Sequence, residues 1–539
     1  MQLQPVLVLV LVPNAVEPAV APAAIAAAGL SAELGDTNMD DTPLLWLEPV
    51  PPQATSPTPA PERGPGLLTL HTPRHDELLR LKGEIEAVHP AGIWDDAKKI
   101  TNPYEYVFLS LQKRMHRSIA AVQPLSRSYF KMMELWNLLD LRDIQRTSHT
   151  AEGPGGFLEA IQHRAPGTRS IAMTLRSTER SVPGWRKSQA FLRDHPAVTV
   201  TYGSDNTGNL YSLANQTAYQ TAARSHLTLP ADLYTADGGF DFSSDYNGQE
   251  NTVQRLLAAE ALAGLSTLRA GGTMILKVFD TKNRATLELL WTLSNCFERT
   301  ALVKPHTSRP ANSERYWIGQ GCHAVIPPWI PAFLRTLTAT EAPHGWNRLF
   351  ADPSPAFHAT GWLTGVQAFQ ERVETMQTMN IQLTLNVLRN PARPLVLDLL
   401  RVNVHMSRRW CAANGITENS QTMSLTDDQV ALQNLEEALG PFLGGVARRS
   451  SPTPSPQTPT HHGSSSARLP PPPAAPAWRS ALPESILSRR PCRTASDTPP
   501  SGARSPHPSP TLPAAAPPPA PPGPVSLAGA PPRTAVPPE

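Results

Sequence analysis

Between residues 144 and 294 short strand-like runs are interleaved with helix-patterned stretches, and that order restricts the chain to few architectures. The runs are IQRTSHT at 144–150, RSIAMTL at 169–175, AVTVTYG at 197–203, ADLYTAD at 231–237 and TMILKVFD at 273–280. Helical spacing fills LEAIQHR at 158–164, the Ala- and Leu-rich stretch 251–272 and a segment near 284–294. Strands joined through helices run parallel, so the expectation is an α/β, doubly wound, mostly parallel sheet with helices on both faces. A further helix is expected at 126–141, where apolar residues recur at three- and four-residue steps and Ser126 is placed to cap. Gly271 and Gly272 are expected to stop the helix that begins at 251.

The 59 prolines and the low charged fraction of 17% are concentrated at the ends of the 539-residue chain. Residues 1–73, with PVPPQATSPTPAPERGPG at 49–66, and residues 446–539, with RLPPPPAAPAW at 468–478, cannot bury enough apolar surface to offset the entropy of ordering. Both are expected to be disordered or polyproline-like. An α/β domain then occupies 74–328. Beyond it, segments near 329–340, 366–388, 394–412 and 426–444 read as helices without clear strands, so 329–445 is expected to be a mainly helical extension. The net charge of +2 hides an arginine-rich tail from Arg448 onward, for which a polyanion contact and a soluble spacer are both consistent readings.

Cys296, Cys322, Cys411 and Cys492 show no C-x-x-C spacing and no histidine pattern, so neither a zinc site nor a disulfide framework is expected. The apolar run VLVLVLV at 6–12 is too short to span a bilayer and follows no Lys or Arg. The expected protein is soluble, not secreted and without a membrane partner.

In an open parallel sheet the ligand crevice lies at the carboxyl ends of the strands. Three features fall there. The turn Glu152-Gly153-Pro154-Gly155-Gly156-Phe157 lets the backbone approach a ligand and opens a helix with free N–H groups, although a plain tight turn fits as well. It is neither the dinucleotide G-x-G-x-x-G nor a phosphate loop. Asp237 ends the run LYTAD, a position that a helix cap or turn also explains. Lys277 lies inside TMILKVFD, where both faces of a central strand are normally apolar, so its ammonium needs partners or loses its proton. Desolvation lowers a lysine pKa, which makes Lys277 a candidate base near neutral pH.

Glu314 stands among Lys304, Arg309 and Arg315, just before the apolar run of Tyr316 to Ile318. A surface ion pair is one reading. If the strand at 315–320 runs antiparallel to the others, however, Glu314 starts at the edge where Asp237 and Lys277 end, and would face Lys277.

With these residues in hand, the chain resembles the FtsJ-like, S-adenosylmethionine-dependent RNA 2'-O-methyltransferases, most of all the cap-specific mRNA enzymes of eukaryotes and large DNA viruses. The resemblance rests on AEGPGGF (151–157), ADGGF (236–240) with GQEN (248–251), RAGGTMILKVFD (269–280) and CFERTALVKPHTSRPANSERYWI (296–318). It implies a Rossmann-like methyltransferase fold with an antiparallel last strand. The implied catalytic set is Lys131, from PLSRSYFKMMEL, with Asp237, Lys277 and Glu314. On spacing alone Lys131 reads as half of a solvated pair with Glu134. The implied cofactor is S-adenosyl-L-methionine, at Gly153, Pro154, Gly155, Gly156 and Phe157 and at Asp205, Asn209 and Leu210 of GSDNTGNL; Asn209 stands where the family pattern has an aspartate. Ser308, Arg309 and Asn312 are implied for substrate, and no metal is needed.

In that reading Lys277 is base or alkoxide stabiliser, Lys131 supplies a second charge, and Asp237 and Glu314 orient the lysines. Lys304, Arg309, Arg315 and the tail arginines are candidates for phosphate contact. The implied partners are RNA, specifically capped mRNA, and transcription or capping machinery, in the nucleus, the cytoplasm or a viral factory or virion. A ribosomal or transfer RNA 2'-O-methyltransferase, or an inactive RNA-binding or virion protein that keeps the fold, are the competing expectations.

Overall fold

The computed structural model describes residues 44–88, 92–109, 118–179, 182, 184–240 and 248–447. Ten strands occur among them: β1 (Leu44–Leu47), β2 (Pro59–Arg63), β3 (Arg146–Thr150), β4 (Arg169–Met173), β5 (Val198–Thr201), β6 (Ala231–Ala236), β7 (Leu268–Phe279), β8 (Phe297–Val303), β9 (Glu314–Cys322) and β10 (Trp346–Phe350). Eight of them form one sheet in the order β1-β8-β9-β7-β6-β3-β4-β5. From β5 through β4, β3 and β6 to β7 the pairing is parallel. β9 enters antiparallel between β7 and β8, as the sequence reading required.

The order reverses direction at β3: β4 and β5 lie to one side, β6 and β7 to the other. That reversal opens a crevice at the carboxyl ends of β3 and its neighbours. The antiparallel β9 then brings its first residue to the same rim, with Phe279 opposite Glu314 and Lys277 opposite Tyr316. Residues facing each other across an antiparallel pair project to the same side. Lys277 and Glu314 therefore share one face of the sheet, while Val278 and Arg315 occupy the other.

Each face has its own core. On the Lys277 face, Ile275, Tyr316 and Ile318 pack with Phe130, Met133 and Phe157 and with Leu400, Val404 and Trp410 of the extension. On the opposite face, Leu276, Val278 and Trp317 pack with Leu287, Leu290 and Trp291 and with Val366, Phe369 and Val373. The extension thus covers both faces with its helices Thr360–Arg389 and Arg393–Ala413.

Several boundaries differ from expectation. Residues 44–73, expected to be disordered, supply β1, which pairs with β8, and β2, which pairs with β10. Leu47 and Val50 are buried there, so four or five apolar side chains amid prolines suffice when an existing sheet edge supplies the hydrogen-bond partners. β10 is also a strand within the mainly helical 329–445. The long Ala- and Leu-rich helix spans Gln249–Thr267 and gives way to β7 at Leu268, five residues before the run TMILKVFD begins at Thr273, so Gly271 and Gly272 lie within the strand and do not stop the helix. The helix expected at 126–141 is Ser128–Leu138; Ser126 gives it no side-chain cap and its hydroxyl pairs with that of Ser128. β8 escaped the sequence reading because the polar Glu298, Arg299 and Thr300 separate Phe297 from its apolar end. Residues 1–43, with the apolar run at 6–12, and 448–539, with the arginine-rich tail, lie outside the described residues. Among the described residues no helix is long and apolar enough to cross a membrane.

Candidate active site

Four elements deliver the four expected side chains to one place. Lys131 comes from helix Ser128–Leu138, Asp237 follows β6, Lys277 lies on β7, and Glu314 opens β9. The Lys131 Nζ lies 2.7 Å from Glu314 Oε1, and the Lys277 Nζ lies 3.2 Å from Asp237 Oδ1 and 4.0 Å from Glu314 Oε2. The result is an alternating chain of charge, Lys131 to Glu314 to Lys277 to Asp237. Tyr316, opposite Lys277 in the ladder, donates its hydroxyl hydrogen to Asp237 Oδ1 at 2.9 Å, and the Ser308 hydroxyl donates to Glu314 Oε1 at 2.8 Å.

The electrostatics correct one expectation. Burial pulls the Lys277 ammonium toward deprotonation, but the carboxylates of Asp237 and Glu314 outweigh it, so its pKa is raised rather than lowered. Glu314 is pushed upward by burial and pulled further down by Lys131, Lys277 and Lys304, and ends well below the usual carboxylate range. Burial, reinforced by Asp237, keeps the Tyr316 phenol protonated.

The cations around Glu314 are not a surface patch. Lys304 is only 1% exposed, and its three N–H groups match three acceptors: Asn312 O (3.0 Å), Asn312 Oδ1 (2.6 Å) and Glu314 O (2.7 Å). It is the strut of the loop 305–313, and Ser308 lies 3.1 Å from it. Burial drives its pKa well down. Arg315 is fully buried on the opposite face against Asp280. Both cations are buried, so neither is placed for the phosphate contact expected of it. Arg309 forks onto Glu105 through Nε (3.0 Å) and Nη2 (2.9 Å), with Arg127 on the same carboxylate, which these arginines hold down at about 2 despite its burial.

Glu134 was the partner expected for Lys131 in a solvated pair. Instead it is buried and accepts from the His306 backbone N–H (2.8 Å), the His306 Nδ1 (2.8 Å) and the Trp410 indole N–H (3.0 Å). One carboxylate therefore ties the Lys131 helix to the 305–313 loop and to the extension. No local pattern in the sequence marks it. Glu260, another residue the sequence reading passed over, is buried beneath Gly238, and burial pushes its carboxyl well up toward the neutral form.

Beside this cluster lies the glycine turn. Gly155 has φ +102° and precedes helix Gly156–Arg164, whose N-terminus has no side-chain cap. A Cβ at Gly155 would come 2.5 Å from the Trp185 ring, and one at Gly153 would meet the Gly184 backbone at 2.8 Å. Phe157 is buried beneath the turn and Pro154 O accepts from Ser188 Oγ. Asp205 and Asn209 stand exposed in the loop after β5, where Asp205 Oδ1 accepts from Thr207 N (2.9 Å) and Asn209 Oδ1 from Tyr211 N (2.9 Å); Leu210 is buried between them and the core. The β4 and β5 loops are joined by the Arg176 N–H donating to Thr207 O at 2.7 Å. Uncapped backbone donors on one loop and exposed oxygen acceptors on the other suit a ligand with a carboxylate at one end and ribose hydroxyls toward the other. Among the described residues no group of His, Cys, Asp and Glu could hold a metal ion.

Residues 124–322, which hold β3 to β9, the charged rim and the glycine turn, match the FtsJ-like methyltransferase family: the chain carries an FtsJ-like methyltransferase domain. Its similarity extends to Probable methyltransferase EP424R of African swine fever virus, 31% identical over 241 residues that make up 41% of this chain and 55% of the viral one. It is also similar to the cap-specific mRNA (nucleoside-2'-O-)-methyltransferase 1 of Trypanosoma cruzi (31% identity, 42% of this chain, 59% of that one) and of Xenopus laevis (34%, 31% and 20%). The chain thus spans little more than half the length of the viral and trypanosomal relatives, and a fifth of the amphibian one.

Proposed function

We propose that the protein is an S-adenosylmethionine-dependent RNA ribose 2'-O-methyltransferase that acts on the cap-proximal nucleotide of mRNA. The observation that carries this reading is the convergence of Lys131, Asp237, Lys277 and Glu314, remote in sequence, into one chain of ion pairs beside the glycine turn. The relatives named as cap-specific enzymes support the choice of substrate.

S-adenosylmethionine would be held by the turn 153–157 at its amino-acid end and by Asp205, Asn209 and Leu210 at its ribose, and supplies a methyl group on a sulfonium. The protein's part is to hold a ribose 2'-OH in line and to remove its proton as the new bond forms. Lys277 takes that proton in its amine form, a fraction that grows tenfold per pH unit below its raised pKa. Lys131 places a second positive charge near the developing alkoxide. Glu314 and Asp237 fix the direction of both lysines, and Ser308 and Tyr316 fix the carboxylates in turn. Ser308 and Asn312 lie in the loop that borders the site, where Arg309 keeps its Nη1 side for substrate while Glu105 holds the rest of the fork.

The test is incubation of the full chain with labelled S-adenosylmethionine and matched capped and uncapped RNAs, wild type beside Lys277→Ala, followed by mapping of the modified ribose. Label on the first transcribed nucleotide of the capped RNA alone, lost in Lys277→Ala, is expected. Equal labelling of uncapped RNA points to a ribosomal or transfer RNA substrate, and label on a base or on protein overturns the assignment.

A further inference from the structure

Helix Thr360–Arg389 lies on the face of the sheet opposite Lys277 and Glu314, yet one of its side chains reaches the ends of both strands that carry them. Gln370 is fully buried, and its single carbonyl oxygen accepts from the Arg315 guanidinium, the Thr281 backbone N–H (3.2 Å) and the Thr281 hydroxyl (3.0 Å). Its amide nitrogen donates to Glu374 Oε1 at 2.9 Å, one helical turn further on. Arg315, next to Glu314, completes the bridge by donating to Asp280 Oδ1 at 2.8 Å and to Ser313 O at 3.1 Å. Asp280 and Thr281 follow directly on β7, the Lys277 strand, and Asp280 holds a left-handed backbone conformation at φ +47°, which a non-glycine residue adopts only when its surroundings impose it.

We propose that Gln370 is a positioning residue for the Lys277–Glu314 pair: acting through Arg315 and Thr281 from behind the sheet, it fixes the end of β7 against the start of β9. A side chain with one acceptor and one donor is required, because the acceptor serves strand groups while the donor satisfies Glu374. Arg315 and Glu314 are neighbours that project to opposite faces, so a shift of the guanidinium is transmitted to the carboxylate through a single peptide. This inference rests on the methyltransferase reading of the site.

The experiment compares the wild-type chain with Gln370→Leu, which removes the acceptor at similar volume, and with the double variant Gln370→Glu/Glu374→Gln, which keeps an acceptor at 370 and restores the donor across the pair at unchanged net charge. Methyl transfer to capped RNA is expected to show kcat lowered about tenfold in Gln370→Leu, KM for S-adenosylmethionine within twofold of wild type, and recovery in Gln370→Glu/Glu374→Gln to within about threefold. An equal rise in the cofactor KM, or no recovery in the double variant, makes the residue merely structural and overturns the proposal. A second readout needs no turnover: labelling of Lys277 by an amine-reactive reagent, quantified by mass spectrometry against the exposed Lys187, is expected to rise about fivefold in Gln370→Leu. Unchanged Lys277 labelling overturns the positioning role even if the wild type transfers no methyl group, in which case only the functional reading also falls. Should Gln370→Leu not fold, Thr281→Val decides: it deletes one donor to Gln370, and a two- to threefold loss in kcat at constant KM is expected, with no loss counting against the proposal.

Discussion

Replacing Glu314 by glutamine removes one negative charge 4.0 Å from the Lys277 ammonium and 2.7 Å from that of Lys131 at almost unchanged volume. Two unit charges about 4 Å apart interact by about 4 kcal/mol at an effective dielectric of roughly 20, and one pH unit corresponds to about 1.4 kcal/mol. Lys277 should therefore titrate about two to three units lower in the variant. In the wild type its pKa is raised, so the ammonium dominates through the neutral range, and a mechanism that uses the amine makes log kcat climb with unit slope without reaching a plateau. In Glu314→Gln the same limb should bend to a plateau about two to three units earlier, at a lower maximal rate because Lys131 has lost its partner. Single-turnover rates with saturating cofactor and a short capped RNA, measured between about pH 6 and 10, resolve the two profiles. A folded Glu314→Gln protein whose limb coincides with that of the wild type would refute the charge coupling and with it Lys277 as proton acceptor.

Glu134→Gln should lower stability by about 1.5–3 kcal/mol, the usual range for hydrogen bonds to a charged group, and raise KM for RNA more than for cofactor because His306 begins the loop 305–313; calorimetry and steady-state kinetics check both. Burial depresses nothing here: it is His306, ahead of Trp410, that brings the Glu134 carboxyl below its ordinary value against desolvation, so its contribution is present above the unfolded pKa and fades as pH falls through the folded one. Gly155→Ala forces a side chain into φ +102° and against Trp185, at a cost of about 1–3 kcal/mol, and titration calorimetry should show weakened S-adenosylmethionine binding. Glu250 has the opposite sign to Glu134. Burial, with Asp280, pushes it up to about 7 from 4.5, so its protonated form stabilises the fold below the unfolded pKa, and that benefit is lost as pH rises through about 7. Glu250→Gln, which keeps an acceptor for the N–H groups of Lys282 and Asn283, should gain up to about 3 kcal/mol over wild type near pH 8 and nothing near pH 4, as denaturant melts at the two pH values will show.

The parallel core was legible because β4, β6 and β7 are apolar on both faces, and Lys277 was legible because a charge inside such a strand is expensive. Its pKa direction was not, since that depends on how many carboxylates a fold brings within 4 Å, and Asp237 and Glu314 arrive from other strands. Lys131 shows the limit most clearly. Its helix neighbour Glu134, three residues on, looks like its natural partner, but Lys131 turns to Glu314, 183 positions away in the numbering, while Glu134 turns inward to His306 and Trp410. The family motifs locate Lys131; helix periodicity cannot. Lys304 and Arg315 read as cations on an open surface because the Lys304 acceptors are carbonyl oxygens, which carry no charge signal in a sequence, and the carboxylate that pairs with Arg315, Asp280, stands at another strand's end. β1 and β2 were missed for a related reason: each is short and proline-flanked, and only the sheet edge or β10 beside it makes it a strand.

The change of pattern near residue 328 suggests a catalytic domain followed by an appendage, but the hydrogen bonds argue otherwise. Trp410 reaches Glu134 on the Lys277 face, and Gln370 reaches Arg315 on the other, so the extension touches a direct sequence neighbour or helix neighbour of two members of the ion-pair chain. Remove it and Glu134, still held by His306, loses its indole donor behind Lys131, while Arg315, still held by Asp280, loses one acceptor behind Glu314; a hydrogen bond to a charged group is worth about 1.5–3 kcal/mol. The fold resolves the conflict between an apolar sheet and a charged rim by packing polar braces from both sides at the strand ends alone. A helical region with no chemistry of its own is for that reason part of the site's construction, and the precision of the lysine and carboxylate geometry at the rim depends on side chains that never meet a substrate.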